Sequence, residues 1–337
     1  MKSRIVSEVD FDALGKQHGA LRLFHSVHRS AYGFIPIPVG VIHGGPGPTA
    51  LLVAGNHGDE WEGQIALAEL FQALDPAEVR GRIIFLPALN LPASLASTRT
   101  SPLDGGNLNR LFPGRVDGSV TEEIAHYVST ELIPCANLVC DLHSGGSSLM
   151  YLPCALATQH ADPARLAATA AALRAFGAPH AYLQGRAEGQ GGLRTLGAVA
   201  ESHGILSIAT ELGGAGTVTP MALNIVRRGL RGLRGLLAHA GLLDAAPELA
   251  ASTRIVTIGE TADWTYAPVS GVFEPLALPG DDVAAGQPAA RLHTPETPWL
   301  PPIAVQFSRA GIVLCRRHPG RAERGDCLFG MGTDWAG

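Results

Sequence analysis

From residue 49 to about residue 240 the chain alternates two kinds of segment, and this alternation limits its possible folds more than any other feature. TALLVAG (49–55) is a continuous apolar run of buried-strand type, whereas WEGQIALAELFQAL (61–74) repeats its apolar positions at helical spacing. GRIIFLPALN, NLVCDLHSG and GILSIATELGG read as further strands, and TEEIAHYVSTEL and PARLAATAAALRAF as further helices. A long helix is expected over 219–240, with Thr219 as its N-cap and Pro220 at its first helical position. Strands alternating with helices predict an α/β fold, a mixed and mostly parallel sheet covered by helices on both faces. Residues 1–48, which include IPIPVGVIHGGPGP, read as N-terminal strands and turns of the same domain, spanning 1–250. After LLDAAPELAAS the helical periodicity disappears, and residues 251–337 are expected to form a small all-β, barrel-like domain.

Composition narrows the function. The 337 residues suffice for a large core, and with 46% hydrophobic and 16% charged residues the chain is expected to fold throughout. A formal net charge of −5 provides no field to attract nucleic acid. Arg227, Arg228, Arg231 and Arg234 recur at helical spacing without interleaved aromatics, so they read as a solvated face or a subunit contact, which leaves a homo-oligomer open. No apolar stretch approaches the roughly 20 residues of a membrane span. The N-terminus has acids where a signal peptide needs an apolar run. Five cysteines without C-x-x-C spacing read as reduced residues of a cytoplasmic protein. Within the β-domain, PGDDVAAGQPAARL is weakly echoed by HPGRAERGDCLFGM, in the manner of biotinyl and lipoyl carriers. Such carriers need a modifiable lysine, and the last lysine is Lys16.

Three constellations carry chemistry. In GNHGDEWEG (55–63), His57 and Glu60 stand three residues apart where a strand ends and a helix begins, so both reach one side of the first helical turn. An imidazole nitrogen and a carboxylate oxygen suit zinc, although many such pairs are ordinary helix-surface residues. In CDLHSGG (140–146), Asp141 and His143 point to one face of a strand, and His143 lies at the strand end where α/β sheets place ligands. Asp141 reads equally as a turn or cap residue and as a group that orients a metal ligand from behind. In TELGG (210–214), Glu211 closes an apolar strand and brings a carboxylate to the same sheet edge, as a salt-bridge partner or as a catalytic group.

Taken together, these motifs resemble the succinylglutamate desuccinylase and aspartoacylase family, related in fold to the zinc carboxypeptidases. Its pattern is an H-x-x-E pair, an N-R pair, a D-x-H and a later glutamate. Here these are His57 with Glu60, Asn109 with Arg110, Asp141 with His143, and Glu211, in that order over about 50–215. The resemblance implies one zinc ion held by His57, Glu60 and His143, with a position left open for water. It implies Glu211 as general base and then general acid, and Arg99 as the cation facing the carbonyl oxygen, although the spacing from Arg99 to the N-R pair is longer than in aspartoacylases. Asn109 and Arg110 would hold a substrate carboxylate. DFDALGKQHGALRL, ALNLPA and SPLDGGNLNRLFPG are most similar to the members that deacetylate N-acetylated diaminobutyrate during ectoine breakdown. The expected partner is therefore a small N-acyl amino acid; the alternatives are a desuccinylase or aspartoacylase with another substrate, or a metallocarboxypeptidase.

Overall fold

The computed structural model describes residues 3–185, 194–218, 233–244 and 252–337. The first 48 residues contribute three antiparallel strands, β1 (Ile5–Ser7), β2 (Gly15–Phe24) and β3 (Phe34–His43). β4 (Thr49–Ala54) follows and is buried at every position. Its continuous apolar run is explained by helices on both sides. Ala50, Leu52 and Ala54 enter one core with Leu67 and Leu70 of α1 (Trp61–Ala73). Leu51 and Val53 enter a second core on the opposite face. Each leucine so buried contributes roughly 1.5–3 kcal/mol.

GRIIFLPALN is not strand throughout. β5 (Arg82–Leu86) stops at Leu86, and Asn90 then caps a short helix, α2 (Leu91–Ala96), by accepting from Ala93 N–H at 3.4 Å. Pro92 sits in the first turn, where its missing N–H costs nothing. The helix expected at TEEIAHYVSTEL begins as α3 (Val120–Tyr127), where Ser119 and Glu122 form a reciprocal capping box. Thereafter come β6 (Leu138–His143), β7 (Leu149–Tyr151), β8 (Cys154–Thr158), α4 (Pro163–Phe176), β9 (His180–Gln184), α5 (Leu196–Ser202) and β10 (Leu206–Glu211). α3 and α5 supply Ile124 and Val199 to the second core. The sequence pattern does not reveal β8 and β9, because five-residue runs are too short to display a period. Of the helix expected over 219–240, residues 233–239 are helical; Thr219, Pro220, Arg227, Arg228 and Arg231 lie outside the described residues.

The remaining strands are β11 (Arg254–Ile258), β12 (Trp264–Tyr266), β13 (Gly271–Pro275), β14 (Asp282–Val283), β15 (Pro288–His293), β16 (Ile303–Gln306), β17 (Gly311–Arg317), β18 (Arg321–Ala322) and β19 (Cys327–Asp334). Among the described residues, a 15-stranded mixed sheet runs β1-β2-β3-β5-β4-β6-β10-β8-β9-β11-β19-β17-β14, with β12 on β19 and β7 on β17. Its centre, β5-β4-β6-β10, is parallel. A separate four-stranded antiparallel sheet runs β16-β15-β13-β18. The fold is thus α/β with a C-terminal β region whose own core centres on Phe273, Phe307 and Phe329.

The weak internal echo has a structural counterpart. β14 and β18 each lead through a tight turn into a long strand, with Gly286 (φ +78°) and Gly325 (φ +93°) in matching places. Ala284 N–H is accepted by the Gln287 side chain at 3.0 Å in one turn, and Glu323 N–H by the Asp326 side chain at 2.8 Å in the other.

Candidate metal centre

The site is assembled at the carboxyl ends of three adjacent parallel strands, β4, β6 and β10, where open α/β sheets gather ligands. His57 and Glu60 follow β4, His143 ends β6, and Glu211 ends β10 in register with His143. His57 and Glu60 do not share a helical turn. α1 starts only at Trp61, and Glu60 occupies its N-cap position with extended backbone (φ −108°, ψ 94°). What brings the pair together is the turn itself. A Cβ on Gly58 would meet the Ala93 carbonyl carbon at 1.9 Å, so the turn can press against α2 only with glycine there.

Glu60 lies at the middle of the cluster. His57 Nδ1 is 2.7 Å from its Oε1, and His143 Nδ1 is 2.8 Å from its Oε2. All three residues are buried, and their ligating atoms lie within 4.8 Å of one another. The far nitrogens of both rings face acceptors: His57 Nε2 is 3.1 Å from Asn107 Oδ1, and His143 Nε2 is 2.9 Å from Asp141 Oδ2. With the ring protons donated to those oxygens, two imidazole lone pairs and a carboxylate converge on one point. Three acceptors facing each other in a buried space call for a shared cation, and this donor set fits one metal ion.

Local charges follow. Burial opposes ionisation of Glu60, but His57 and His143 outweigh it and hold the carboxyl well below the usual carboxylate range. Burial lowers His57, whereas for His143 the charges of Asp141 and Glu60 overcome burial and raise it. Burial, and after it the charge of Glu60, pushes Glu211 up to about 8. Its Oε2 has no hydrogen-bond partner among the described residues. Burial and then the nearby Glu211 charge raise Cys154 and Tyr182 well above their ordinary values.

Residues 46–240 match the model of the succinylglutamate desuccinylase/aspartoacylase catalytic domain. The chain belongs to the succinylglutamate desuccinylase/aspartoacylase family. N-alpha-acetyl-L-2,4-diaminobutyric acid deacetylase of Halomonas elongata is 39% identical, over 97% of this chain and 94% of that protein. The product-bound structure of the ectoine utilization protein EutE (DoeB) from Ruegeria pomeroyi superposes with a TM-score of 0.93 at 40% identity, covering 99% of each chain. A succinylglutamate desuccinylase/aspartoacylase from Rhodobacter sphaeroides gives 0.92 at 39% identity, covering 99% of this chain and 100% of that one.

The other residues singled out by the family's motifs also gather here. Arg99, just past α2, places Nη1 3.3 Å from His57 Nδ1 and 3.4 Å from Glu60 Oε1. Arg110 is partly buried, and burial followed by the charge of Arg99 lowers it; among the described residues it forms no ion pair with a carboxylate. Asn109 is anchored through its Oδ1, which accepts from Leu196 N–H at 3.0 Å; its Nδ2 lies 2.9 Å from His143 Nε2, but with the proton of that nitrogen given to Asp141 no hydrogen bond joins the two. Asp141 faces His143, so the ligand left open by the sequence is that histidine.

Sequence reasoning missed Asn56, Asn107 and the acids on either side of Glu60. Asp59 accepts from Ser147 N–H at 2.8 Å and from its hydroxyl at 2.7 Å, tying the turn after β4 to the loop after β6. Glu62 is buried, and burial pushes it up to about 6. The one signal for Asn56, Asp59 and Glu62 was a place inside GNHGDEWEG, which by itself does not separate a ligand from its braces, and Asn107 stands in the glycine-rich stretch before the N-R pair. No helix among the described residues is long and apolar enough to cross a membrane.

Proposed function

We propose that this chain is a zinc-dependent deacetylase that hydrolyses N-alpha-acetyl-L-2,4-diaminobutyrate to diaminobutyrate and acetate. The observation that carries the reading is the buried convergence of His57, Glu60 and His143 on one point beside Glu211, in a chain that matches such a deacetylase along nearly its whole length. Zinc held by these residues would supply Lewis-acid chemistry, acidifying water and polarising a carbonyl.

The chain's own groups then divide the work. Glu211, raised by burial, takes a proton from the attacking water as the new C–O bond forms. It returns that proton to the nitrogen as the C–N bond breaks. The Arg99 guanidinium, beside Glu60, stabilises charge developing on the carbonyl oxygen. Arg110 binds the substrate's α-carboxylate through its planar fork, with Asn109 fixing the turn that carries it. Residues 1–250 form the catalytic unit and 251–337 the domain that restricts access; β17 pairing with β7 beside the site supports the access role, although it joins the two parts in one sheet.

Amine release from acetylated diaminobutyrate, acetylated aspartate, succinylglutamate and a dipeptide tests the reading. Acetylated diaminobutyrate is expected to give the highest kcat/KM. A preference for acetylated aspartate or succinylglutamate would reassign the substrate, and turnover of the dipeptide alone would make the protein a carboxypeptidase.

A further inference from the structure

A row of buried amides stands behind the metal centre, and neither the mechanism above nor the family's motif uses it. Asn56 is fully buried, and its Nδ2 lies 2.8 Å from Asp141 Oδ1 and 2.9 Å from Asp141 Oδ2. Carboxylate oxygens only accept, so the amide nitrogen must be the group that faces them. Asp141 Oδ2 in turn accepts from His143 Nε2 at 2.9 Å. The other end of the row is also anchored. Fully buried Asn90, at the N-cap of α2, donates from Nδ2 to the Asn56 backbone carbonyl at 3.4 Å, and its N–H donates to Gly55 O at 2.9 Å.

We propose that Asn56, held in place by Asn90, is a positioning residue for the metal: it fixes the Asp141 carboxylate, which keeps the His143 proton on Nε2 and the Nδ1 lone pair directed at the ion. A buried carboxylate is tolerated only when its lone pairs are satisfied, and among the described residues Asn56 is the one side chain besides His143 that donates to Asp141. Without it Asp141 loses one partner on each oxygen, and the imidazole is free to take the other tautomer or to turn. Groups that orient a metal-bound histidine in this way typically account for 10–100-fold in metal affinity.

The inference rests on His143 being a ligand, so the experiment separates the two. Zinc affinity of the full chain is measured by competition with a chromophoric chelator, without reference to turnover. Asn56→Ala is expected to weaken binding about 10–100-fold. Asn56→Asp, of the same shape but unable to donate and negatively charged beside Asp141, is expected to weaken it at least as much. Circular dichroism of each metal-free variant establishes that the affinity refers to folded protein. The decisive arm is a double-mutant cycle. If Asn56 acts through Asp141, adding Asn56→Ala to Asp141→Asn costs little further affinity. Full additivity, or unchanged affinity in Asn56→Ala, overturns the proposal. His143→Ala is the control for the underlying reading: unchanged affinity there refutes the ligand assignment itself, whereas a large loss there beside an unaffected Asn56→Ala refutes only the role of Asn56.

Discussion

Glu60 brings a negative charge into a fully enclosed space, and what surrounds it determines what the site can do. Both imidazoles reach it within 2.8 Å, and Arg99 stands 3.4 Å away, so the carboxylate stays ionised and available as a ligand. Glu211, two strands over at the end of β10, lies in the opposite regime: burial and then the charge of Glu60 raise it to about 8, suitable for a group that must both accept and return a proton near neutral pH. Glu211→Gln is therefore expected to lower kcat by roughly 10²–10⁴ while zinc stays bound, because the amide cannot accept the proton. Unchanged turnover at full zinc occupancy would remove Glu211 from the mechanism. At this scale the sequence was informative about residues that interrupt apolar runs. His57, His143 and Glu211 stand at the ends of such runs, where a polar group is costly without a purpose. Asn56 and Asn107 were not legible. Asparagine in a glycine-rich turn is ordinary turn chemistry, and the partner that gives Asn56 its meaning is 85 residues away.

Two elements place these groups. β4 carries the first motif, and its two-sided burial makes it intolerant of cavities: Leu52→Ala is expected to cost about 2–5 kcal/mol in urea unfolding, with a value near 1 meaning that the core collapses around the gap. The loop carrying Asn107, Asn109 and Arg110 has no regular strand or long helix to hold it, and Asp104 ties it to α3. The Asp104 carboxylate accepts from Thr121 N–H and Thr121 Oγ1, both at 2.8 Å, and from Gly106 N–H at 2.9 Å. Burial alone would raise this carboxyl, but those hydrogen bonds outweigh it and the net value is lowered. A carboxyl lowered on folding stabilises the folded state above its unfolded value of about 3.9, and that stabilisation is lost as pH falls through the lower folded value. The gap in thermal midpoint between wild type and Asp104→Ala should accordingly be present at pH 6 and narrow below about pH 4. An equal gap at pH 6 and pH 3 would show that the charge is not what holds the loop. Regular elements were readable wherever their apolar period was long. The GRIIFLPALN segment misled because the Asn90 cap and Pro92 that start α2 sit inside a run that is apolar on both sides of the break.

Across the whole molecule, the site is where the large sheet concentrates buried carboxyl groups. Glu60, Glu211 and Asp141 lie within two neighbouring strand ends and the turn beside them, facing histidines whose second nitrogens are already engaged. A divalent cation at that point satisfies acceptors drawn from β6 and from the turn between β4 and α1, so its binding reports on assembly of the sheet's centre. Unfolding separates His57 from His143 and removes the cluster, which makes the metal a ligand of the folded state. Free zinc at about 100 times its dissociation constant should then stabilise the protein by about 2.7 kcal/mol relative to chelated protein, less any affinity of unfolded histidine and cysteine for the ion. Thermal melting after chelation, with zinc restored stepwise, measures this directly. The midpoint should rise with the logarithm of free zinc in wild type and stay nearly flat in the His57→Ala, His143→Ala double variant. A midpoint that responds equally in both would mean that the ion stabilises the fold elsewhere, and the cluster at the ends of β4 and β6 would lose its claim to be the metal centre.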